Sequence, residues 1–295
     1  MIDLHIHTIA SSDGAHGPEA IFDMARGIGL RALAFADHNS ISSVSQGMAE
    51  ARKTGMRFIS AIEIDTLHED HDLHVLAYGF DPLLKDFTDW VTEIELSKWD
   101  QARGRTKRLK EMGFALDWDD LMVNSGGKPP SGMNFVRVML ARAENDGDHR
   151  LDPYRAGGSR ADSPYLNFYL DYLRGGGPAF VPRDGVMTGN VIRRIISLGG
   201  VPVFAHPSDT PLEFIPSLIN AGLRGLEVYS SYHDGALTEK WLSVAKSHKL
   251  LITAGSDFHG LEVKPDVKLG GIAGNVMELF DRLAESLPHK RGLVL

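Results

Sequence analysis

The spacing of apolar and polar positions changes twice along the chain. Ile2-Asp3-Leu4-His5-Ile6-His7 alternates with period two, which predicts a strand with Leu4 and Ile6 on one face and His5 and His7 on the other. Residues 18–29 carry a helical pattern; Pro18 suits a first turn, and Gly27 and Gly29 stand near the stop. A short apolar strand is expected over 31–36, and Ser40 is expected to cap a helix running to about residue 54. Two further strands read over 57–62 and 73–78.

From about residue 81 to 186 the pattern becomes charged and helical, with helical periodicity over 84–113, 132–144 and 163–174. Glycine- and proline-rich stretches at 124–130 and 157–159 read as loops. Strand and helix then alternate again, with strands over 201–205, 225–229 and 250–254 and helices near 188–198, 211–221 and 235–248. Repeated β-α units imply a parallel sheet, either a barrel or an open wound sheet. The expected organisation is a discontinuous α/β domain over 1–80 and 187–295, with an inserted helical substrate-side subdomain over 81–186.

Composition narrows the function classes. The 295 residues are 43% apolar and 24% charged, as in a globular chain, and no apolar run approaches the roughly 20 residues of a membrane span. The N-terminus lacks the basic region and apolar core of a secretory signal, so a cytoplasmic location is expected. The absence of cysteine removes disulfides, thiolate ligands and a Cys nucleophile. With 31 basic and 39 acidic residues the formal charge is −8, which argues against extended nucleic-acid binding. An acidic chain that handles an anion needs a local source of positive charge, and bound cations would provide one.

Histidines and carboxylates recur where the predicted strands end: His5 and His7, Asp13 just beyond, Asp37 and His38, Glu63, His74, His206, then Asp257 and His259. In parallel α/β folds the C-terminal edge of the sheet gathers functional groups. Setting Asp37 aside, six His, two Asp and one Glu would converge there. Burying so much polarity without a cation is costly. Mixed imidazole and carboxylate donors suit Mn, Fe or Zn better than Ca. Nine donors exceed what one ion takes, so two or three divalent ions are expected, with a carboxylate bridging.

These residues resemble the PHP (polymerase and histidinol phosphatase) superfamily of metal-dependent phosphoesterases. The blocks that carry the resemblance are Asp3-Leu4-His5-Ile6-His7-Thr8 with Ser12-Asp13-Gly14, Ala36-Asp37-His38-Asn39, Glu63, His74, Ala205-His206-Pro207 and Gly255-Ser256-Asp257-Phe258-His259-Gly260. The resemblance implies a distorted (β/α)7 barrel and a trinuclear site. It places His5, His7, Glu63 and Asp257 on one ion, Glu63, His74 and His206 on a second, and Asp13, His38 and His259 on the third. It further implies a phosphoesterase in which a metal-bridging hydroxide attacks phosphorus, with Glu63 and Asp257 in catalytic positions.

The insertion and Gly177-Pro178-Ala179-Phe180-Val181-Pro182 are similar to the stand-alone branch acting on small phosphorylated molecules. Relatives that remove a 3′-phosphate from nucleoside bisphosphates usually carry Gly-Arg-Pro-His in the insertion. This chain has Ser131-Gly132-Met133-Asn134-Phe135 there, with Arg137 downstream. That departure argues for another phosphomonoester, or a cyclic phosphodiester of a sugar or nucleotide. Arg137, Arg160 and Arg183 are the candidate phosphate-binding residues, because guanidinium donates bidentately and these lie in the insertion or at its return. His233 is a candidate proton donor or supporting group, and Asp37 a candidate to orient a ligand histidine. The basic run from Arg103 to Lys110 reads as a solvated helix face. Other readings are a 5′-3′ exonuclease on short oligonucleotides, a non-catalytic module and an amidohydrolase; strand-end residues alone do not separate C–N from P–O hydrolysis.

Overall fold

A computed structural model describes every residue except Ser12, Asp70, Asp184 and Asn275; Ser12, part of the Ser-Asp-Gly motif, therefore lies outside the described residues. The strands are β1 (Ile2–Ile6), β2 (Ala32–Phe35), β3 (Arg57–Ile59), β4 (Ala61–His68), β5 (His71–Tyr78), β6 (Val201–Phe204), β7 (Gly225–Ser230), β8 (Leu251–Gly255) and β9 (Leu293–Val294). The helices are α1 (Pro18–Gly27), α2 (Val44–Thr54), α3 (Lys85–Glu111), α4 (Trp118–Asn124), α5 (Gly132–Ala141), α6 (Pro164–Phe168), α7 (Thr188–Ser197), α8 (Ile215–Ala221), α9 (Gly235–Ser247) and α10 (Met277–Ser286). None of the helices described is long and apolar enough to cross a membrane.

The chain divides into two compact units. One comprises Met1–His68, Leu73–Thr92 and Gly185–Leu295; the other comprises Glu69–Asp72 and Glu93–Asp184. Compared with the expected 81–186 insertion, the second unit begins inside α3 and takes in Glu69–Asp72, which reaches from the end of β4 into the first two residues of β5. Helix periodicity is continuous through α3, so the hydrophobic pattern offered no signal at that cut.

In the first unit the strands form two sheets, ordered β1-β2-β3-β9 and β4-β5-β6-β7-β8. No continuous ladder among the described residues closes them into the expected barrel; the single parallel bridges Ile6–Phe258 and His38–Glu63 link strand ends of one sheet to the other. The sheets are also not all parallel. β5 runs antiparallel to β6, pairing Val75 with Phe204 and Tyr78 with Val201, and β9 runs antiparallel to β3. The apolar run 57–62 is split at Ser60 into β3 and β4, where Ser60 N–H donates to Gly292 O and its hydroxyl to Phe80 O.

The core of this unit joins Ile2 and Leu4 of β1 with Ala32 and Ala34 of β2, Leu76 and Tyr78 of β5, Val203 of β6, and Phe280 and Leu283 of α10. Small alanines let the strands approach closely while Phe280 and Tyr78 fill the wider gaps. Helix α1 starts at Pro18, where a missing N–H costs nothing, and buries Ile21, Phe22 and Ala25. Helix α2 begins at Val44 rather than after Ser40, because Ser43 Oγ donates to buried Asp37 and fixes the preceding turn.

The second unit has its own core, including Leu109, Phe114, Phe135, Met139, Phe168 and Leu173. The segment 131–135, where the sequence departs from the bisphosphatase pattern, forms the start of α5. There Ser131 N–H donates to Asn134 Oδ1 at 2.7 Å, so Asn134 serves as a helix cap. The expected helix over 163–174 is α6 followed by one wider π turn from Tyr169 to Leu173.

Candidate metal centre

Strand alternation puts the donor groups on one edge of the first unit. His5 and His7 share a face of β1 and its extension, and their Nε2 atoms stand 3.1 Å apart. In β4, Ile62 and Ile64 turn away while Glu63 and Asp65 share the opposite face. His38 follows β2 and joins Glu63 through the 38–63 bridge. His74 sits near the start of β5, yet antiparallel pairing puts it beside the end of β6, with Ala205 N–H donating to His74 O at 3.0 Å. This reversal is why a residue early in its strand reaches the edge where its neighbours end.

All nine expected donors fall into groups whose ligand atoms lie within 4.8 Å of one another: His5, His7, Glu63 and Asp257; His7, Asp13, His38 and His259; and Glu63, His74 and His206. A fourth group joins His38, Asp65 and His74. Glu63 is the hub. Its Oε2 lies 3.3 Å from His5 Nε2 and 3.2 Å from both His7 Nε2 and His38 Nδ1. Its Oε1 lies 2.9 Å from His74 Nδ1 and 3.0 Å from His206 Nε2. Asp257 Oδ1 lies 2.9 Å from His7 Nε2.

The donor set fits cations. Asp13 Oδ1, His38 Nδ1, Glu63 Oε2, Asp257 Oδ1 and His259 Nε2 are buried atoms with no hydrogen-bond partner of acceptable geometry among the described residues. Native folds rarely leave buried polar atoms so. Five such atoms in these linked groups, with two imidazole Nε2 atoms face to face, are what donors look like when the group they serve is a positive ion.

Electrostatics within the protein alone point the same way. Burial pushes the Glu63 carboxyl up, but His5, His74 and His38 together hold it well below its usual range. Burial and neighbouring His7 lower His259 to about 4, so it is neutral at pH 7. With its Nδ1 2.8 Å from Asp257 O, the donating hydrogen belongs there and Nε2 presents a lone pair. Burial alone would lower His38, yet Glu63, Asp65 and Asp13 outweigh it and raise His38 to about 10.

A cation bound at His38 must displace that proton. Apparent metal affinity is therefore expected to climb with pH up to about 10, by at most about tenfold per unit for one proton released. The sign for the metal-free protein is opposite. Stability from protonated His38 is complete below its ordinary value of 6.5 and is lost as pH rises through 10. The gap in Tm between Mn-loaded and metal-free protein should widen from pH 6.5 to 9.5. A constant gap across that range would contradict this assignment.

Support for the cluster comes from residues that the strand-end pattern did not single out. Glu227, fully buried in β7, reaches His5 Nδ1 at 3.1 Å and accepts from His206 N–H at 2.9 Å. It thereby directs His5 Nε2 toward Glu63 and His7. Gly255 makes room for this contact: a Cβ there would lie 2.1 Å from Glu227 Oε1 and 2.2 Å from His5 Cβ. A charged residue between apolar Leu226 and Val228 was the available signal, as was the i, i+2 spacing of Asp65 from Glu63. His206 and Asp257 hold positive φ angles of 23° and 60°. Such conformations cost about 1–3 kcal/mol each and persist only where neighbours enforce them.

His233, for which the sequence left a proton donor or a supporting group open, is one of those neighbours. Its Nε2 accepts from Ser208 N–H at 3.0 Å and its Nδ1 faces Val228 O at 2.8 Å, so both ring nitrogens are committed to backbone. Burial lowers its pKa, consistent with a neutral ring. Trp241 donates to Ser208 O at 3.0 Å, so both polar groups of that peptide position are held, two residues after His206. Among the described residues, the Asp37 side chain is bonded to the turn that follows β1 and to Ser43, and to no histidine. It accepts from Thr8 N–H, Ser11 N–H and Ser43 Oγ, fixing the turn whose Ser11 Oγ lies 2.9 Å from His7 Nδ1.

The three candidate arginines all lie in the second unit and are engaged within it. Arg160 is paired with Asp171, Arg137 lies 4.8 Å from the Tyr165 ring centroid, and buried Arg183 donates to Ser97 Oγ and Ile94 O.

The description of the PHP domain matches residues 3–122. A 3′,5′-nucleoside bisphosphate phosphatase from Chromobacterium violaceum is 28% identical over 88% of this chain and 87% of its own length. A 5′-3′ exoribonuclease from Salmonella typhimurium is 26% identical over 91% of this chain and 87% of its own. A solved structure from Bifidobacterium adolescentis shares the fold with a TM-score of 0.74 at 24% identity, covering 100% of this chain and 97% of that one. Residues 3–122 therefore match a PHP domain, and the histidine and carboxylate blocks that begin in that stretch continue beyond it, through His206, Asp257 and His259, to converge with it on one edge.

Proposed function

We infer that this protein is a metal-dependent phosphoesterase that hydrolyses a small phosphorylated molecule, with a phosphomonoester of a metabolite or nucleotide as the first choice. The observation that carries the reading is the set of three donor groups sharing Glu63 and His7, with buried atoms left unpartnered. Two or three Mn, Fe or Zn ions suit that donor chemistry. His5, His7, Glu63 and Asp257 would hold one ion, Glu63, His74 and His206 a second, and Asp13, His38 and His259 a third. Bound there, such ions supply Lewis acidity toward phosphoryl oxygen and acidify water.

The chain's own residues supply placement. Glu227 sets the His5 ring, Ser11 sets His7, and Ser208, held by His233 and Trp241, fixes the backbone next to His206. We read the two bridged sheets as a distorted barrel of seven strands, β1, β2 and β4 to β8, with these groups at one rim.

The relatives named for a bisphosphate phosphatase and for an exoribonuclease share phosphate-ester cleavage and differ in the size of substrate. The acidic balance of the chain and the absence of a long basic aromatic stripe favour the small substrate. The test is release of phosphate from a broad panel of phosphomonoesters and cyclic phosphodiesters by Mn- or Zn-loaded protein. Hydrolysis of several monoesters is expected. Inactivity across the panel at full metal content sinks the reading, and faster processing of labelled oligonucleotides than of mononucleotides favours the exonuclease.

A further inference from the structure

A phosphoesterase needs a group that grips the anion, and the three arginines the sequence offered are engaged within the second unit. The first unit has a different candidate. Among the described residues, Lys264 is the lysine or arginine that forms an ion pair with any of the nine donors, through Asp257 Oδ2 at 2.7 Å. It also donates to Tyr232 OH at 2.7 Å, and Tyr232 OH in turn donates to the same Asp257 oxygen. The three groups close a triangle.

The geometry divides the Asp257 carboxylate. Oδ1 faces His7 and His5, while Oδ2 faces Lys264 and Tyr232. The Asp257 side chain is 5% exposed, whereas that of Lys264 is 32% exposed, so the ammonium is anchored on its buried side and reachable from solvent on the other. Two of its three N–H donors are used by Tyr232 and Asp257, which leaves a third. The backbone holds it there: Lys264 N–H donates to Gly260 O at 2.9 Å, one residue past His259. Tyr232 lies edge-on to His206 with ring centroids 5.7 Å apart, so the triangle borders two of the three donor groups.

We propose that Lys264, clasped by Tyr232 and Asp257, is the side chain that binds the substrate's phosphate. The proposal rests on the phosphoesterase reading above. With cations held by the donor groups, Asp257 would share its charge with them, and its hold on the ammonium through Oδ2 would loosen. The lysine then turns its charge to an incoming phosphate oxygen while Tyr232 OH keeps Oδ2 in place. A compact ammonium on a flexible stem suits such a shift of partner better than a guanidinium fork would.

The test is calorimetric titration of inorganic phosphate into Mn-loaded wild type, Lys264→Met, Lys264→Arg and Tyr232→Phe, with metal content measured on each sample. Lys264→Met should weaken phosphate binding by at least about tenfold at unchanged metal content and raise KM for a phosphomonoester. Lys264→Arg should recover part of that affinity, and Tyr232→Phe should lose less than Lys264→Met. Wild-type phosphate affinity in Lys264→Met at full metal content overturns the proposal. So does an affinity loss that only tracks lost metal, because Lys264 would then act by positioning Asp257. Metal-loaded wild type that binds no phosphate and hydrolyses no ester overturns the phosphoesterase reading itself, which separates the two failures.

Discussion

Replacing Glu63 by Gln should abolish phosphoesterase activity, with a loss of roughly a thousandfold or more, and should lower metal content across the whole site. Glu63 touches five of the six imidazoles of interest and belongs to two of the donor groups. The Gln amide keeps one acceptor and turns the other oxygen into a donor, which then points at imidazole lone pairs or at a cation. Two groups are therefore disrupted by one atom. Metal assistance is worth several kcal/mol of charge stabilisation, and about 1.4 kcal/mol is tenfold in rate, which sets the scale of the loss. The fold should survive, since the replacement is isosteric and Glu63 lies outside the apolar core of its unit. Metal analysis by mass spectrometry, with circular dichroism on the same sample, checks both halves. A folded Glu63→Gln protein with full metal content and activity within tenfold of wild type would contradict the role given to this residue.

The donor set was legible because strand period and residue chemistry act together. A period of two puts His5 and His7 side by side without knowledge of the rest of the chain, and the strand-end rule collects His38, His206 and Asp257, whereas Glu63, expected at the end of the 57–62 run, stands third in β4. His74 was collected for an incomplete reason. It reaches the site because β5 is antiparallel to β6, and direction of pairing is not written in an apolar run. The same blindness explains the sheet expectation: alternating β-α units announce parallel strands, while the β4–β5 connection has no helix between its strands. The short β9 was invisible because two residues carry no period.

Residues that act through others were harder to read. His233 looked chemical because it follows a strand, yet its ring serves two backbone groups, and only three-dimensional placement of Ser208 decides that. The arginines were chosen for their affinity for phosphate, and a guanidinium that suits phosphate suits Asp171 or a backbone carbonyl equally well. Lys264 lay in the Gly-Leu-Glu-Val-Lys stretch beyond the last motif, where no pattern marked it. The general lesson is that ligand-type residues at strand ends can be found from periodicity, whereas their supports depend on contacts between segments far apart in sequence.

Glu227 is the sharpest case of such a support, and its substitution should have the second large effect. Glu227→Gln is expected to lower metal affinity by about 10–100-fold, the usual cost of removing a carboxylate behind a ligand histidine. Glu227 is fully buried and contacts His5 Nδ1 with both oxygens, at 3.2 and 3.1 Å, while one oxygen also accepts from His206 N–H at 2.9 Å. The carboxylate fixes the His5 hydrogen on Nδ1 and makes Nε2 a better donor. A Gln amide can keep the His206 contact with its oxygen, but its NH2 then faces His5 Nδ1 and favours the tautomer whose hydrogen sits on Nε2, toward Glu63 and His7. Metal loading should recover at high metal concentration, since His5 itself remains, and activity per bound metal should then approach wild type more closely than in Glu63→Gln. Glu227→Ala should be worse, because it also leaves a cavity beside Gly255, where no side chain can move in to fill it. Competition with a chelator of known affinity measures the first effect. Unchanged affinity in Glu227→Gln would mean that the strand, and not the carboxylate behind it, orients His5.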